Sequence, residues 1–326
     1  MNKLKFSTLL ILIGGIVLIL LAGFKPIGLD RDSQNYVNMI QASFNIDDLY
    51  LREPSFNLLQ LLNEIIFSGS TTSFFLIFAV LGVALKIYAI QKGSDYPLLS
   101  FVLYVFFYYI LHDLTQIRVG VASALFLLAI NDKINNHKRK AIIKIIIAVS
   151  FHYSAIIGLL LFILNGKRFN KLLYFILPTI GILLSILLTT NTFSIATAYM
   201  PSVFAQKINT YIILQDRGSF NKINLFNFYY SGLLLIYYSL IFIIKENDFK
   251  NILYLKFLGF GLFFFYALSF LPVLAFRISE FYCIVIIILF ANVSKYFKQL
   301  YLFQALIFTF GLGYFVTQGL MNNINL

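Results

Sequence analysis

The first side chains that could carry chemistry lie in residues 30–36 and continue at 52–53. Arginine presents a planar fork of N–H donors that fits phosphate or carboxylate, and a carboxylate can act as a general base. The group therefore predicts a loop that contacts a sugar or a phosphate. Its candidate binding residues are Arg31, Asp32, Tyr36, Arg52 and Glu53. The alternative is a solvated loop in which these charges pair with one another.

The second group lies in residues 112–118, between apolar runs of only 15 and 16 residues. These runs are shorter than the ~20 residues that cross a bilayer as a helix, which predicts a turn below the membrane surface. An arginine at that depth costs ~2.5 kcal/mol or more unless it is paired or hydrated. Arg118 is therefore a candidate catalytic residue, with His112 and Asp113 as candidate binding residues. The alternative is an interfacial arginine that bonds to Asp113.

The third group is Phe151-His152-Tyr153-Ser154, which interrupts the apolar segment 141–164. Non-helical backbone at membrane depth is stable only where it is buried in protein or lines a cavity. There His152 could act as a base, a proton relay or a hydrogen-bond donor to a pyrophosphate, so it is a candidate catalytic residue. The alternative is a core histidine that donates to a carbonyl group.

The fourth group begins the apolar segment 275–293 and contains Arg277, Glu280 and Tyr282. Arg277 could bind an anion, and Glu280 would lie one helical turn further along the same face. Both are candidate catalytic residues, and Tyr282 is a candidate binding residue. The alternative is a local Arg–Glu pair.

The sequence predicts no metal site and no cofactor. Its three histidines lie far apart, its one cysteine, Cys283, is inside an apolar run, and no glycine-rich nucleotide loop is present. The net charge of +12 comes from basic residues scattered between apolar segments, without a basic, aromatic-rich domain. This pattern indicates membrane topology and not nucleic-acid binding.

Membrane helices must position these groups. Hydrophobic residues make up 60% of the chain and charged residues only 12%, against about a quarter in soluble domains. Continuous apolar runs predict helices, because the strands of a membrane barrel alternate polar and apolar residues. We therefore predict an all-α polytopic membrane protein with a single transmembrane domain over residues 1–326. Its nine or so transmembrane helices are predicted at 6–24, 72–91, 97–111, 116–131, 172–190, 225–244, 252–271, 275–293 and 300–320.

The charge distribution decides how segment 141–164 crosses the membrane. If it is a re-entrant helical hairpin broken at 151–154, the lysine-rich loops and the N-terminus all face the cytoplasm, as the positive-inside rule requires. If it crossed once, most of those loops would face outward. The hairpin leaves 25–71 and 191–224 as outer loops and places the short apolar segment 54–68 on the outer surface. Five of the seven arginines then lie outside, so the outer face carries the chemistry.

The succession of these residues resembles the EpsG-type polysaccharide polymerases, and through them the wider Wzy-type O-antigen polymerases. The resemblance covers roughly residues 30–290. It is carried by Asp32, Tyr36, Glu53, Ile117-Arg118, Phe151-His152-x-Ser154, Arg277 and Tyr282. The family usually continues the arginine motif with glutamine, where this chain has Val119.

The resemblance implies a metal-independent glycosyltransferase of the bacterial cytoplasmic (inner) membrane. It would transfer a growing glycan from undecaprenyl pyrophosphate to a lipid-linked oligosaccharide repeat unit at the periplasmic face. Arg118 and Arg277 would neutralise the leaving pyrophosphate. The base would be one of His152, Asp32, Glu53 and Glu280. Its partners would be the lipid-linked oligosaccharide, the bilayer, and a chain-length regulator and a flippase.

Two alternative functions share the membrane topology. An O-antigen ligase, or another lipid-linked-sugar transferase, has the same leaving group. Loss of a polymerase leaves single repeat units on the lipopolysaccharide core, whereas loss of a ligase leaves none. A repeat-unit flippase would show paired repeats and charges near the bilayer midplane, but this sequence has no visible repeat.

Overall fold

The computed structural model describes residues 2–42, 52–218, 223–321 and 324. In this part of the chain every regular element is a helix, apart from one isolated bridge between Asp30 and Ile324. The prediction of an all-α fold is confirmed. Helices satisfy their backbone polar groups internally, which lipid requires of any segment that crosses it.

The helices divide between two compact units. Unit 1 comprises Met1–Leu161 and Ile286–Leu326, and unit 2 comprises Phe162–Val285. In chain order the elements are α1 (Asn2–Gly23), α2 (Ser33–Gln41), α3 (Pro54–Phe67), α4 (Thr71–Gly93), α5 (Pro97–Tyr104), a π-helix (Val105–Thr115), α6 (Ile117–Ile134), α7 (Lys138–Phe151), a 3₁₀-helix (Tyr153–Leu159), α8 (Leu160–Ile163), α9 (Lys171–Leu187), α10 (Thr190–Thr197), α11 (Ser202–Asp216), α12 (Phe228–Ile243), α13 (Phe249–Ala267), α14 (Pro272–Cys283), α15 (Ile286–Val293), a 3₁₀-helix (Ser294–Tyr296), α16 (Leu300–Tyr314) and a second π-helix (Phe315–Leu320).

Each of the nine predicted spans coincides with helix, although not all of these helices are long and apolar enough to cross a membrane. Five meet that requirement: Phe6–Gly23, Thr71–Gly93, Pro97–Thr115, Phe249–Ala267 and Leu300–Thr317. A sixth results if α14 and the segment Ile286–Tyr296 count as one span. By contrast, α9 and α12 are apolar but only 17 and 16 residues long. The described residues therefore form a multi-pass membrane protein with five or six candidate spans, and nine crossings remain a prediction.

The helix α6 lies inside unit 1, where α4 and α7 pack against it. All of its side chains from Val119 to Asn131 are buried. Arg118, at its first turn, is only partly buried. A helix covered in this way can offer a ligand only the residues at its ends, and Arg118 is one of them.

Aromatic side chains pack α3 against α4. The ring of Phe56 lies 5.2 Å from that of Phe74, and Phe74 lies 5.0 Å from Phe78. All three rings are at most 1% exposed. Aromatic pairs of this kind contribute about 0.5–1.5 kcal/mol each through their packing, and they hold the short helix α3 against α4.

The chain reverses direction at His152, as the hairpin prediction requires. A Cβ atom placed on Gly158 would lie 3.0 Å from the Cδ1 atom of Ile145. In a continuous helix these two residues would be about 20 Å apart along the axis. Segment 141–164 is therefore a hairpin and not one straight helix, while its place in the membrane remains a prediction.

The segments predicted as loops contain helices. Segment 25–71 includes α2 and α3, and segment 191–224 includes α11. The predicted turn at 112–118 is wrong in its extent. The first π-helix continues through Thr115, so only Gln116 separates it from α6.

Candidate functional site

Glu53 and Arg118, which are 65 residues apart in sequence, form the centre of the site. Glu53 precedes Pro54, and proline suits the first position of a helix because its missing N–H would lack a partner there anyway. Arg118 is the second residue of α6. Its Nη1 group donates to Oε2 of Glu53. The Glu53 side chain is 3% exposed and that of Arg118 is 22% exposed, so part of the guanidinium is accessible.

Two aromatic rings face the guanidinium of Arg118. The ring centroids of Tyr36 and Phe56 each lie 5.5 Å from its central carbon. Cation–π contacts of this kind stabilise a partly desolvated charge. Burial raises the pKa of the Tyr36 hydroxyl, while the charge of Arg118 acts in the opposite direction. This hydroxyl therefore stays protonated and keeps its O–H donor.

His152 joins Glu53 and Arg118 at the centre of the site. Helix α7 ends at Phe151, and His152 takes an extended conformation (φ −154°, ψ 115°) before the 3₁₀-helix begins. Its Nδ1 atom lies 3.5 Å from Oε1 of Glu53. Glu53 thus presents one carboxylate oxygen to Arg118 and the other to His152. The break in the hairpin is what brings the histidine to this position.

Polar contacts hold the tip of the hairpin against α2 and α3. Tyr153 donates its hydroxyl to the carbonyl oxygen of Arg52 at 3.0 Å. The Arg52 side chain donates in turn to the carbonyl oxygen of Met39 at 2.9 Å. The hydroxyls of Ser55 and Ser150 are 2.7 Å apart. Arg52 therefore connects elements around the site, and its role as a binding residue stays a prediction.

This arrangement suits anion binding and proton transfer. Arginine has five N–H donors, and Glu53 is shown to take one of them, which leaves donors for phosphate oxygens. A carboxylate or an imidazole can remove a proton from a hydroxyl group that binds within reach. Glu53 and His152 are close enough to share that task.

A groove of about 680 Å³ runs along α3 beside the site. This volume is within the usual range for small-molecule pockets. The described residues that line it are Ile40, Ala42, Pro54, Asn57, Leu58, Gln60, Leu61 and Glu64. Those on α3 mostly recur every three or four positions, so they share one face of the helix. The groove begins at Pro54, the residue after Glu53, and its walls are mainly apolar.

His112 and Asp113, predicted as binding residues, lie in the interior of unit 1. Asp113 pairs with Lys86 at 2.8 Å and accepts a hydrogen bond from Tyr104 at 2.7 Å. The Nδ1 atom of His112 lies 3.1 Å from the Ser123 hydroxyl, and the residue is 0% exposed. Both side chains bond to other protein groups and lie away from the accessible surface.

Sequence reasoning missed Lys86, which the structure places inside unit 1. The signal was available, because a lysine within the apolar run 72–91 is expensive in a membrane and functional by default. Lys25 is a second buried lysine of unit 1. Its side chain is 0% exposed and pairs with Asp30 at 2.8 Å.

Two further predicted binding residues lie just before α2. Arg31 is exposed, and Asp32 is half-buried. The backbone N–H of Asp32 donates to the carboxylate of Asp30 at 3.0 Å, as does that of Ser33. Asp30 therefore shapes the start of α2, the helix that carries Tyr36.

Arg277, Glu280 and Tyr282 belong to α14 in unit 2. Arg277 donates to the hydroxyl of Tyr211, whose ring centroid lies 5.1 Å from the guanidinium carbon. The described structure records no salt bridge between Arg277 and Glu280, and both the catalytic role and the local pair stay predictions. The Tyr282 ring stacks on Phe257 at 5.6 Å and is 2% exposed, so it belongs to the core of unit 2.

The described residues contain no group of three or more histidine, cysteine, aspartate or glutamate side chains that could hold a metal ion. No curated protein and no solved structure matches the chain. A sequence model of the EpsG family does match, and it covers residues 8–323, nearly the whole chain. This coverage includes Glu53, Arg118 and His152 with the helices that carry them. The chain therefore belongs to the EpsG family.

Proposed function

We propose that this protein is a polysaccharide polymerase of the bacterial cytoplasmic membrane. It transfers a growing glycan from undecaprenyl pyrophosphate to a lipid-linked oligosaccharide repeat unit at the periplasmic face. Membership of the EpsG family supports polysaccharide polymerisation, and the apolar helices support a multi-pass membrane protein. The observation that carries the proposal is the Glu53 carboxylate placed between Arg118 and His152.

The reaction follows from the chemistry of that site. The acceptor hydroxyl oxygen forms a bond to the anomeric carbon of the donor glycan, and the bond from that carbon to the pyrophosphate oxygen breaks. The electron pair leaves with undecaprenyl pyrophosphate, and donors of Arg118 not used by Glu53 stabilise its charge. The hydroxyl proton passes to His152 or to Glu53. A glycosyl pyrophosphate is already activated, so the transfer needs no nucleotide.

The groove along α3 accepts the polyprenyl chain of the substrate. Its mainly apolar walls suit an isoprenoid, and they include Pro54, the residue after the Glu53 that pairs with Arg118. Asn57 lines the groove one turn after Glu53, and its amide N and O atoms have no hydrogen-bond partner in the described structure. An amide in that position can bond to the oxygens where the lipid joins its head group.

Arg277 and Glu280 are proposed as a second anion-binding and acid–base group, on unit 2. Arg277 donates to the hydroxyl of Tyr211 and keeps further donors for a ligand. A chain-length regulator and a flippase are the proposed protein partners, because a polymerase needs repeat units delivered to its face of the membrane.

The test uses the full chain, purified and reconstituted into proteoliposomes, with lipid-linked repeat units as the only glycan donor and a lipid-free oligosaccharide acceptor also present. We expect glycans longer than one repeat unit, with one undecaprenyl pyrophosphate released for each new linkage. Transfer of glycan only to an acceptor without a polyprenyl lipid would identify a ligase. Movement of repeat units across the bilayer without new linkages would identify a flippase. Either result would overturn the proposal.

A further inference from the structure

Lys86 lies within α4 and bonds to two other helical segments. Its Nζ atom lies 2.9 and 2.8 Å from the two carboxylate oxygens of Asp113, near the end of the first π-helix. It also donates to the carbonyl oxygen of Gly120, in the first turn of α6, at 2.7 Å. Tyr104, at the end of α5, adds a hydrogen bond of 2.7 Å to Asp113. The side chains of Lys86 and Asp113 are both 0% exposed.

Two glycines make room for the Asp113 carboxylate. A Cβ atom at Gly82 would lie 2.1 Å from Oδ1 of Asp113, and one at Gly120 would lie 2.8 Å from the same atom. Even a methyl group at Gly82 would displace the carboxylate. Gly82 is one turn before Lys86 on the same face of α4. The helices around Asp113 are therefore shaped to admit this one group.

A second buried lysine bonds to the chain near the boundary between the π-helix and α6. Lys25 donates to the carbonyl oxygen of Leu114. Leu114 and Gly120 flank Gln116, the only residue between the π-helix and α6. A carbonyl group before Gln116 and one after it therefore each accept a bond from a buried ammonium group, and Arg118 lies between these two carbonyl groups.

Stability alone does not explain a buried pair of charges. The cost of desolvating both ions offsets their attraction, and apolar replacements of such pairs are often neutral or even stabilising. An ammonium group, unlike an apolar side chain, forms directed bonds to the Asp113 carboxylate and the Gly120 carbonyl at once. These bonds join the last turn of the π-helix to the first turn of α6, and Arg118 lies between the joined residues.

We propose that Lys86 is a positioning residue for Arg118. Through Asp113 and Gly120 it holds the two helix ends at one spacing, so that the guanidinium of Arg118 is presented to Glu53 and to an anionic ligand. Asp113 is then a support for the site and does not itself bind substrate. The inference rests on the proposed function only for the identity of the ligand.

The test compares Lys86→Met with the double variant Lys86→Met/Asp113→Asn. The single variant leaves a buried carboxylate without its cation, so we expect lower membrane abundance. The double variant removes both charges and is expected to insert at wild-type abundance. Hydrogen–deuterium exchange on the purified full chain then reports local order. We expect the amides of residues 117–121 to exchange at least about tenfold faster in the double variant, because the Gly120 carbonyl has lost a charged donor.

Two controls separate positioning from general stability. Amides of Leu300–Tyr314 in α16 should exchange at the wild-type rate in the double variant. Lys256→Met removes another buried lysine, which donates to the carbonyl oxygen of Asn165 at 2.7 Å in unit 2, and should leave residues 117–121 unchanged.

Three results would overturn the proposal: wild-type exchange at 117–121, an equal rise in α16, or failure of the double variant to accumulate. The exchange readout does not use polymerase activity. If wild-type protein made no polymer while the exchange result held, the proposed function would fail and the positioning role would stand.

Discussion

At the scale of single residues, replacing Arg118 by lysine tests what the site needs from this side chain. Either a positive charge is enough, or the planar set of N–H donors of the guanidinium is required. Lysine at this position keeps the positive charge but cannot bond to Glu53 and a phosphate through separate N–H groups of one plane. We expect Arg118→Lys to reduce chain extension at least about tenfold, since hydrogen bonds to charged groups contribute ~1.5–3 kcal/mol each. Polysaccharide length on gels, read with membrane abundance, measures this.

Arg139→Lys is the matched control, because Arg139 is an exposed arginine in the first turn of α7 and has no proposed binding role. It should make polysaccharide of wild-type length. Full-length polymer from Arg118→Lys at normal abundance would mean that Arg118 only pairs with Glu53.

For His152 the structure allows three roles, and two substitutions separate them. If it is the base, His152→Ala should lower the rate ~10²–10⁴-fold and lipid-linked repeat units should accumulate. If it only donates a hydrogen bond to pyrophosphate, His152→Gln should keep partial activity, because glutamine also donates. A structural role would lower membrane abundance in the alanine variant. Wild-type chain length in that variant would remove His152 from the active site.

At the scale of elements, the groove along α3 can be tested by comparing residues of that helix that line the groove with residues that do not. Leu58 and Leu61 line the groove, and each is 57% exposed. Ile65 and Ile66 lie on the same helix but do not line it, and they are 72% and 62% exposed. A photoreactive amino acid at Leu58 or Leu61 should crosslink to radiolabelled undecaprenyl phosphate, whereas the two isoleucine positions should not.

Excess unlabelled undecaprenyl phosphate should compete with the crosslink, and phosphatidylglycerol should not. Equal labelling at all four positions would indicate ordinary bilayer contact and no specific groove. The readout is binding, so it is independent of the sugars that the protein uses.

The helices themselves were largely predictable, because each apolar run dictates one. The extension of helix through Thr115 was not, since a π-helix has no clear signature in a single sequence. The site was predictable as separate motifs at Glu53, Arg118 and His152. Their contact was not, because no local rule pairs residues 65 apart in sequence. Lys86 was missed because one charge hardly lowers the mean hydropathy of a long apolar run.

At the scale of the whole molecule, the reversal at His152 decides on which side of the membrane the later segments lie. If 141–164 is a re-entrant hairpin, the chain returns to the side of the loop before α7. Helix α9 then starts in the cytoplasm, and α11 lies outside. If 141–164 crossed once, α11 would lie on the same side as that loop. Two positions, Asn136 before α7 and Ser202 at the start of α11, therefore distinguish the models.

Both positions are exposed, whereas Cys283, the only native cysteine, is 1% exposed and can be replaced by serine. The alternative outer position Ser43 lies outside the described residues. We expect a membrane-impermeant thiol reagent on intact cells to label Ser202→Cys but not Asn136→Cys, and permeabilised cells to label both. The expectation rests on the positive-inside rule, since Lys138, Arg139 and Lys140 follow Asn136. Labelling of both positions, or of neither, in intact cells would mean a single crossing, and every segment after residue 164 would then have the opposite orientation to the one proposed here.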